Sequence, residues 1–131
     1  MQRTTPPFRA DHVGSLLRSE TLKHARADHA AGKIDAAALR LIEDQEIKTL
    51  VAKQEAIGLQ SITDGEFRRA FWHFDFLGGL GGVELFESDA GIQFKGVQTK
   101  ATGVRVVNRL HYTPHVMVDH FKYLKSVTRQ T

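Results

Sequence analysis

The order of segments along the first half of the chain is the feature that most restricts its fold. Residues 10–17 have the pattern of a short strand that ends at a Gly–Ser bend, and residues 59–63 form a second apolar run. Between them the capping and apolar patterns predict one helix over 19–31 and a longer one over 35–57. A strand, a helical hairpin and a second strand are typical of a right-handed crossover between parallel strands, so we expect an α/β protein.

The pattern changes in the second half of the chain. A glycine-rich stretch over 78–82 is followed by alternation typical of antiparallel strands at three places, 83–86, 92–94 and 104–107. An apolar stripe after Pro114 then predicts a helix. We therefore expect two βα units over 1–77, a β insertion over 78–112 and, over 113–131, a helix leading to a third strand that this chain does not contain.

Composition narrows the classes of function. The 131 residues include no cysteine, which excludes disulfides, thiolate nucleophiles and cysteine zinc sites within this chain. No apolar stretch approaches the roughly 20 residues of a membrane span, and no apolar signal core follows the N-terminus, so we expect a cytoplasmic protein without a membrane partner. The net charge of +3 comes from basic residues interleaved with acidic ones, so no nucleic-acid partner is expected.

The strongest candidate site is the segment Thr63-Asp64-Gly65-Glu66, which closes the second apolar run. In α/β proteins, ligands commonly bind at the carboxyl ends of the strands, where polar side chains can contact them. Glu66 is the leading ligand-binding candidate, although a carboxylate in the first turn of a helix would give the same pattern. Asp64 has the simpler interpretation of a cap.

Two motifs carry a resemblance to a known family. The first is His12-Val13-Gly14-Ser15 with Leu16-Leu17-Arg18, and the second is Asp64-Gly65-Glu66-Phe67-Arg68-Arg69 with Trp72-His73-Phe74-Asp75-Phe76-Leu77. In this order and at this separation they resemble the cobalamin-independent methionine synthase family, and especially its shorter, single-barrel members. The resemblance extends through residues 118–126 and covers essentially the whole chain.

The resemblance implies a fold, a reaction and a set of binding residues. It implies the N-terminal portion of a (β/α)₈ TIM barrel in which zinc-bound homocysteine takes a methyl group from a folate donor. It assigns the amino-acid end of homocysteine to Val13, Gly14, Ser15 and Glu66. His12 is a further candidate because it lies beside the Gly–Ser bend, although a single histidine on a strand is more often packed than ligand-binding. The family's zinc ligands lie in later strands, so no catalytic or metal-binding residue is assigned here, and the chain alone is expected to be inactive.

Other interpretations remain open at this stage. The chain could be a noncatalytic small-molecule-binding or assembly module that associates with itself or with a complementary C-terminal fragment, or it could belong to a zinc-dependent alkyltransferase acting on another thiol. Arg68, Arg69 and His73 could meet an anion or form a solvated helix face. The aromatic residues at 67, 71, 72, 74 and 76 are expected in a core or domain contact. The histidines at 111, 115 and 120 lack the spacing of a metal motif.

Overall fold

The computed structural model describes residues 5, 15–87 and 102–130 of the chain. They form a mixed helical and strand structure whose elements are α1 (Glu20–Ala30), α2 (Ala36–Ala56), α3 (Phe74–Leu77), β1 (Gly81–Glu87), β2 (Thr102–His111) and α4 (Val116–Val127). They divide into two compact units, one within Met1–Arg68 and His120–Thr131 and the other within Arg69–Asp119. None of the described helices has the length and apolar character that crossing a bilayer requires.

The first two helices begin where the sequence predicts. The Ser19 hydroxyl accepts a hydrogen bond from the N–H of Leu22, and the Asp35 carboxylate accepts one from the N–H of Ala38 at 2.7 Å. Each side chain satisfies a backbone donor that has no partner inside its helix. The predicted starts of α1 and α2 are confirmed.

Both helices also end at the predicted glycines, through the same motif. After α2, the N–H of Gly58 donates to the carbonyl of Glu55, and the N–H of Leu59 donates to the carbonyl of Gln54. Gly58 has the positive φ, 85°, that this Schellman arrangement requires of the first residue beyond the helix. Gly32 ends α1 with the equivalent pair of bonds, so this part of the prediction is confirmed.

The core of the first unit is small and joins three parts of the chain. Leu22 of α1, Ile47 and Val51 of α2, and Phe67 from the turn beyond α2 are all at most 3% exposed. Partly buried apolar residues surround this cluster, namely Leu16, Leu50, Ile62, Tyr123, Leu124 and Val127. Phe67 thus confirms the expected burial of an aromatic residue in this region, and it attaches the turn to the helical hairpin.

A buried ion network holds the same turn from its polar side. The Arg68 side chain is only 2% exposed, and it pairs with Glu43 at 3.0 Å and with Asp44 of α2. Its guanidinium also lies over the Tyr123 ring, and the Tyr123 hydroxyl donates to the carbonyl of Asp44. Arg26 of α1 reaches Glu43 at 3.6 Å. The prediction that Arg68 meets an external anion or solvent is therefore wrong, because two carboxylates of its own chain already surround it.

The second unit contains the only sheet of the described residues, and it is antiparallel as predicted. β1 pairs with β2 in a register that places Glu84 opposite Arg105, and these two side chains form an exposed ion pair at 3.0 Å. The strand predicted at 92–94 lies outside the described residues. The aromatic residues at the start of this unit are largely exposed in this chain, with Trp72 at 71% and Phe76 at 48%.

The predicted strand over 59–63 is not formed, and residues 15–17 are not in a strand either. The side-chain amide of Gln54 supplies hydrogen bonds of the kind a neighbouring strand would give. It donates to the carbonyl of Thr63 at 2.8 Å and accepts from the N–H of Thr63 at 3.1 Å. A backbone donor and acceptor beside the core are thereby satisfied without a sheet, as buried polar groups must be.

The ion network gives a test of what stabilises this unit. We expect Arg68→Leu to lower the free energy of unfolding by about 3–5 kcal/mol, because it leaves the buried Glu43 carboxylate without its main partner. The matched change Lys33→Met breaks an exposed pair with Asp28 and should cost less than about 1 kcal/mol. Urea unfolding followed by circular dichroism measures both. Equal effects of the two changes would contradict a structural role for the network.

A second test concerns the segment after α4. The backbone N–H of Arg129 donates to the Glu55 carboxylate and, with the Thr128 hydroxyl, lowers the pKa of Glu55 below its ordinary value of 4.5. A lowered folded-state pKa means that folding favours the ionised form. Its contribution to stability should be complete above about pH 4.5 and should be lost as the pH falls through the lowered value.

The measurement is urea unfolding of the wild type and Glu55→Gln across this pH range. The difference in stability between them should be constant near neutral pH and should shrink in acid. A difference that stays the same down to about pH 3 would show that the Glu55 charge does not stabilise the fold.

Candidate ligand-binding site

The turn that follows residue 63 has an unusual backbone. Gly65 and Glu66 both have left-handed conformations, with φ of 63° and 57°. Among the described residues, Glu66 is the one non-glycine residue with positive φ. This conformation costs a side-chain-bearing residue about 1–2 kcal/mol, and such strain concentrates at functional sites. A glycine would adopt the same conformation more easily, which suggests that the carboxylate at this position serves a purpose.

Hydrogen bonds fix the backbone on both sides of Glu66. Its N–H donates to the Asp64 carboxylate at 3.0 Å, and its carbonyl accepts from Nη2 of Arg18 at 2.7 Å. One residue earlier, the N–H of Gly65 donates to the Thr63 hydroxyl at 3.2 Å. The backbone N–H groups of Gly65 and Glu66 and the carbonyl of Glu66 are therefore paired within the protein. Asp64 caps this turn instead of a helix, because residues 65–68 do not form one.

The two sequence motifs come together at this turn. The N–H of Leu16 donates to the carbonyl of Gly65 at 3.0 Å, so the backbone after Ser15 runs beside the turn that carries Glu66. Ser15 is exposed and Glu66 is partly buried. The other predicted binding residues, His12, Val13 and Gly14, lie outside the described residues. The binding roles of all five residues stay predictions.

Gly65 is required at its position by packing as well as by its backbone angle. A Cβ atom there would lie 2.7 Å from Cδ2 of Leu50, 3.1 Å from Cβ of Leu16 and 3.2 Å from the ring of Phe67. The turn is therefore pressed against the core and cannot move away from it without opening a cavity. Glu66 therefore follows directly after a residue whose backbone lies against the core.

The groups at this turn are of the chemical kinds that a small zwitterion would require. A carboxylate on a fixed backbone suits an ammonium group, and a serine hydroxyl suits a carboxylate. Sequence reasoning proposed these two residues as ligand-binding, and it did not predict that Arg18, Arg26 and Gln54 hold the turn. Arg18 belongs to the first motif, so a signal was present, but a side chain that binds the backbone of a distant turn has no recognisable spacing in sequence.

Two histidines of the described region, His111 and His115, make contacts with the backbone nearby. His115 is buried; its Nε2 lies 2.9 Å from the carbonyl of Phe76, and its Nδ1 accepts from the N–H of Met117 at the start of α4. Nδ1 of His111 lies 3.1 Å from the carbonyl of Arg109. Across 15–87 and 102–130, no three His, Asp or Glu side chains are grouped as a metal site would need. These residues do not fit a zinc ion.

An apolar cleft of about 270 Å³ lies elsewhere in the first unit. It is lined by Ile62, Phe121, Leu124, Lys125, Thr128 and Gln130. Phe121 is 64% exposed, which is unusual for a side chain of this size beside a core. The cleft offers apolar surface but few polar groups that could orient a small ligand.

Comparisons with known proteins agree on one family. Residues 8–131 match the family described as cobalamin-independent synthase, catalytic domain. The chain is 54% identical over 127 residues to the uncharacterized protein YxjG of Bacillus subtilis, and 34% identical over 122 residues to a methionine synthase of Sulfurisphaera tokodaii. A crystal structure of a Listeria monocytogenes protein, proposed to be a vitamin-B12-independent methionine synthase, superposes with a TM-score of 0.76 at 42% identity.

These similarities cover nearly all of this chain but a minor part of each relative. The matched region is 97% of this chain and 34% of the Bacillus subtilis protein, 88% and 33% for the Sulfurisphaera tokodaii protein, and 95% and 34% for the Listeria monocytogenes structure. The chain thus spans about one third of the length of these relatives.

The packing of the turn leads to a test with a matched control. Gly65→Ala adds a methyl group that overlaps Leu50 in a left-handed backbone, whereas Gly32→Ala adds one at φ 71° with open space around it. We expect Gly32→Ala to destabilise the protein by about 1 kcal/mol, and Gly65→Ala by at least about 2 kcal/mol more. Urea unfolding of both variants measures the difference. Equal losses would show that the turn is not packed tightly against α2.

Proposed function

The chain belongs to the cobalamin-independent synthase catalytic-domain family, and we propose that it binds the amino-acid end of homocysteine for a methyl transfer from a folate donor. The observation that carries this proposal is Glu66, held in a left-handed turn beside the segment of Ser15. The reaction is proposed for the whole protein, and binding and orientation are proposed for this chain. The methionine synthase of Sulfurisphaera tokodaii among its relatives supports this choice of substrate.

The proposed site divides the substrate between two groups. The Glu66 carboxylate binds the ammonium group of homocysteine, and the Ser15 hydroxyl binds its carboxylate, helped by the backbone of Val13 and Gly14. Opposite charges and hydrogen-bond donors are then matched at both ends of the amino acid. These two contacts leave the thiol free at the far end of the substrate side chain. They also prevent the substrate from rotating, which is how positioning contributes to a transfer reaction.

Zinc does not enter this part of the proposal. The resemblance implies a zinc enzyme, but the sequence has no cysteine and the described residues provide no group of three suitable ligands. No step assigned to this chain passes through a metal. We accordingly expect the chain alone to bind its substrate without transferring a methyl group.

Calorimetric titration with reduced homocysteine tests the site. We expect saturable binding by the wild type and a loss of about tenfold or more in affinity for Glu66→Gln, because a charge-assisted hydrogen bond to the ammonium group is lost. The control Glu20→Gln removes the same charge from the exposed first turn of α1 and should bind as the wild type does.

A second ligand shows which end of the substrate Glu66 binds. 4-Mercaptobutyrate has the thiol and carboxylate of homocysteine but lacks its ammonium group. The wild type should prefer homocysteine, whereas Glu66→Gln should lose most of that preference. A variant that keeps the preference would contradict the assigned role of Glu66, even if its overall affinity fell.

The apolar cleft favours one alternative, a noncatalytic assembly role for this chain. Its exposed Phe121 offers surface that another polypeptide, or a second copy, could cover. Absence of homocysteine binding, together with association that increases with concentration in sedimentation, would favour this function. Binding of a different thiol compound in preference to homocysteine would favour a related alkyltransferase.

A further inference from the structure

We propose that Arg18 is a positioning residue, which sets the direction of the Glu66 carboxylate by holding the Glu66 carbonyl. This inference rests on the proposed function and adds a residue to the same site. Arg18 lies in the first motif, three residues after Ser15, and its Nη2 donates to the carbonyl of Glu66 at 2.7 Å. The two halves of the proposed site are therefore joined by a side chain as well as by the backbone.

The conformation of Glu66 explains why such a residue is needed. A left-handed glutamate is less stable than an ordinary one, and it persists only where the surrounding structure holds it. The turn would otherwise relax toward a conformation in which the Cα–Cβ bond, and with it the carboxylate, points elsewhere. A bond from a guanidinium is among the stronger hydrogen bonds in proteins, so Arg18 is well suited to oppose this relaxation.

The backbone of Glu66 is restrained on both sides. Asp64 accepts from the N–H of Glu66 and Arg18 donates to its carbonyl, so the peptide groups on both sides are restrained. The segment that supplies Arg18 is itself bound to the turn through the N–H of Leu16 and the carbonyl of Gly65. Fixing both peptide planes fixes the direction in which the side chain leaves the backbone.

The carbonyl of the next residue, Phe67, also accepts a hydrogen bond from an arginine. Nη1 of Arg26 donates to the carbonyl of Phe67 at 3.1 Å, while Arg26 also reaches Glu43. Two arginines from one stretch of chain thus bind two successive carbonyls of the turn. Arg26 acts at a buried core residue, whereas Arg18 acts at the residue proposed to touch the ligand. Loss of Arg18, but not of Arg26, should therefore lower the affinity for homocysteine directly.

A double-mutant cycle on homocysteine affinity tests the proposal. Arg18→Gln should weaken binding about tenfold, and Arg18→Lys should recover part of the loss because an ammonium group can donate to the same carbonyl. In the Glu66→Gln background, Arg18→Gln should have little further effect, because Arg18 acts through Glu66. A merely structural role would not produce this non-additivity. Arg129→Gln, which removes a positive charge from the same unit at the Glu55 pair, should bind as the wild type does.

The outcomes separate this inference from the function on which it rests. No binding by the wild type, or no effect of Glu66→Gln, would overturn both. A normal Arg18→Gln affinity with a weakened Glu66→Gln would overturn only the role of Arg18. Equal, additive losses in both backgrounds would also overturn it, because Arg18 would then act independently of Glu66. If Arg18→Gln fails to fold by circular dichroism, the same cycle with Arg18→Lys decides between these outcomes.

Discussion

The pairing of Arg68 with the carboxylates of α2 is the interaction on which the rest of the first unit depends. A guanidinium that is 2% exposed is tolerable only if its charge is matched, and Glu43 and Asp44 provide that match. Because Arg68 follows directly after Phe67, the ion pair and the buried ring fix the same short stretch of chain. Tyr123 brings α4 to the same place. The turn before Arg68 therefore has a defined position over the helical hairpin.

Strain and support are combined in the proposed binding site. The site has one residue in a conformation that its side chain disfavours, and several neighbours whose hydrogen bonds prevent its relaxation. Tight packing at Gly65 removes the remaining freedom. In the proposed site, such a restrained backbone would reduce the ordering that remains to be done when a ligand binds. The names of the relatives support the proposed chemistry, and the geometry of the turn supports the role proposed for Glu66.

The elements that depend on local signals were predictable, and those that depend on distant partners were not. Ser19, Asp35 and Gly58 act within a few residues of themselves, so the bounds of α1 and α2 follow from sequence. The prediction of a strand at 59–63 was wrong because strand formation depends on hydrogen bonds to another segment. The apolar pattern alone could not reveal that the Gln54 side chain would bind the backbone of Thr63 instead. The burial of Arg68 was missed for the same reason. Proximity of the two motifs was expected from parallel strands, and it occurs here through the bond between Leu16 and Gly65.

The bidentate amide of Gln54 has a consequence for how this region tolerates changes in length. Successive helix residues are rotated by about 100°, so a one-residue insertion between Val51 and Gln54 would rotate the amide away from the turn that packs on Val51 and remove both of its bonds to Thr63. The same insertion between Gly58 and Thr63 would leave the amide where it is and could be absorbed as a longer loop. Related chains should therefore vary in length on one side of the α2 terminus and keep strict spacing on the other.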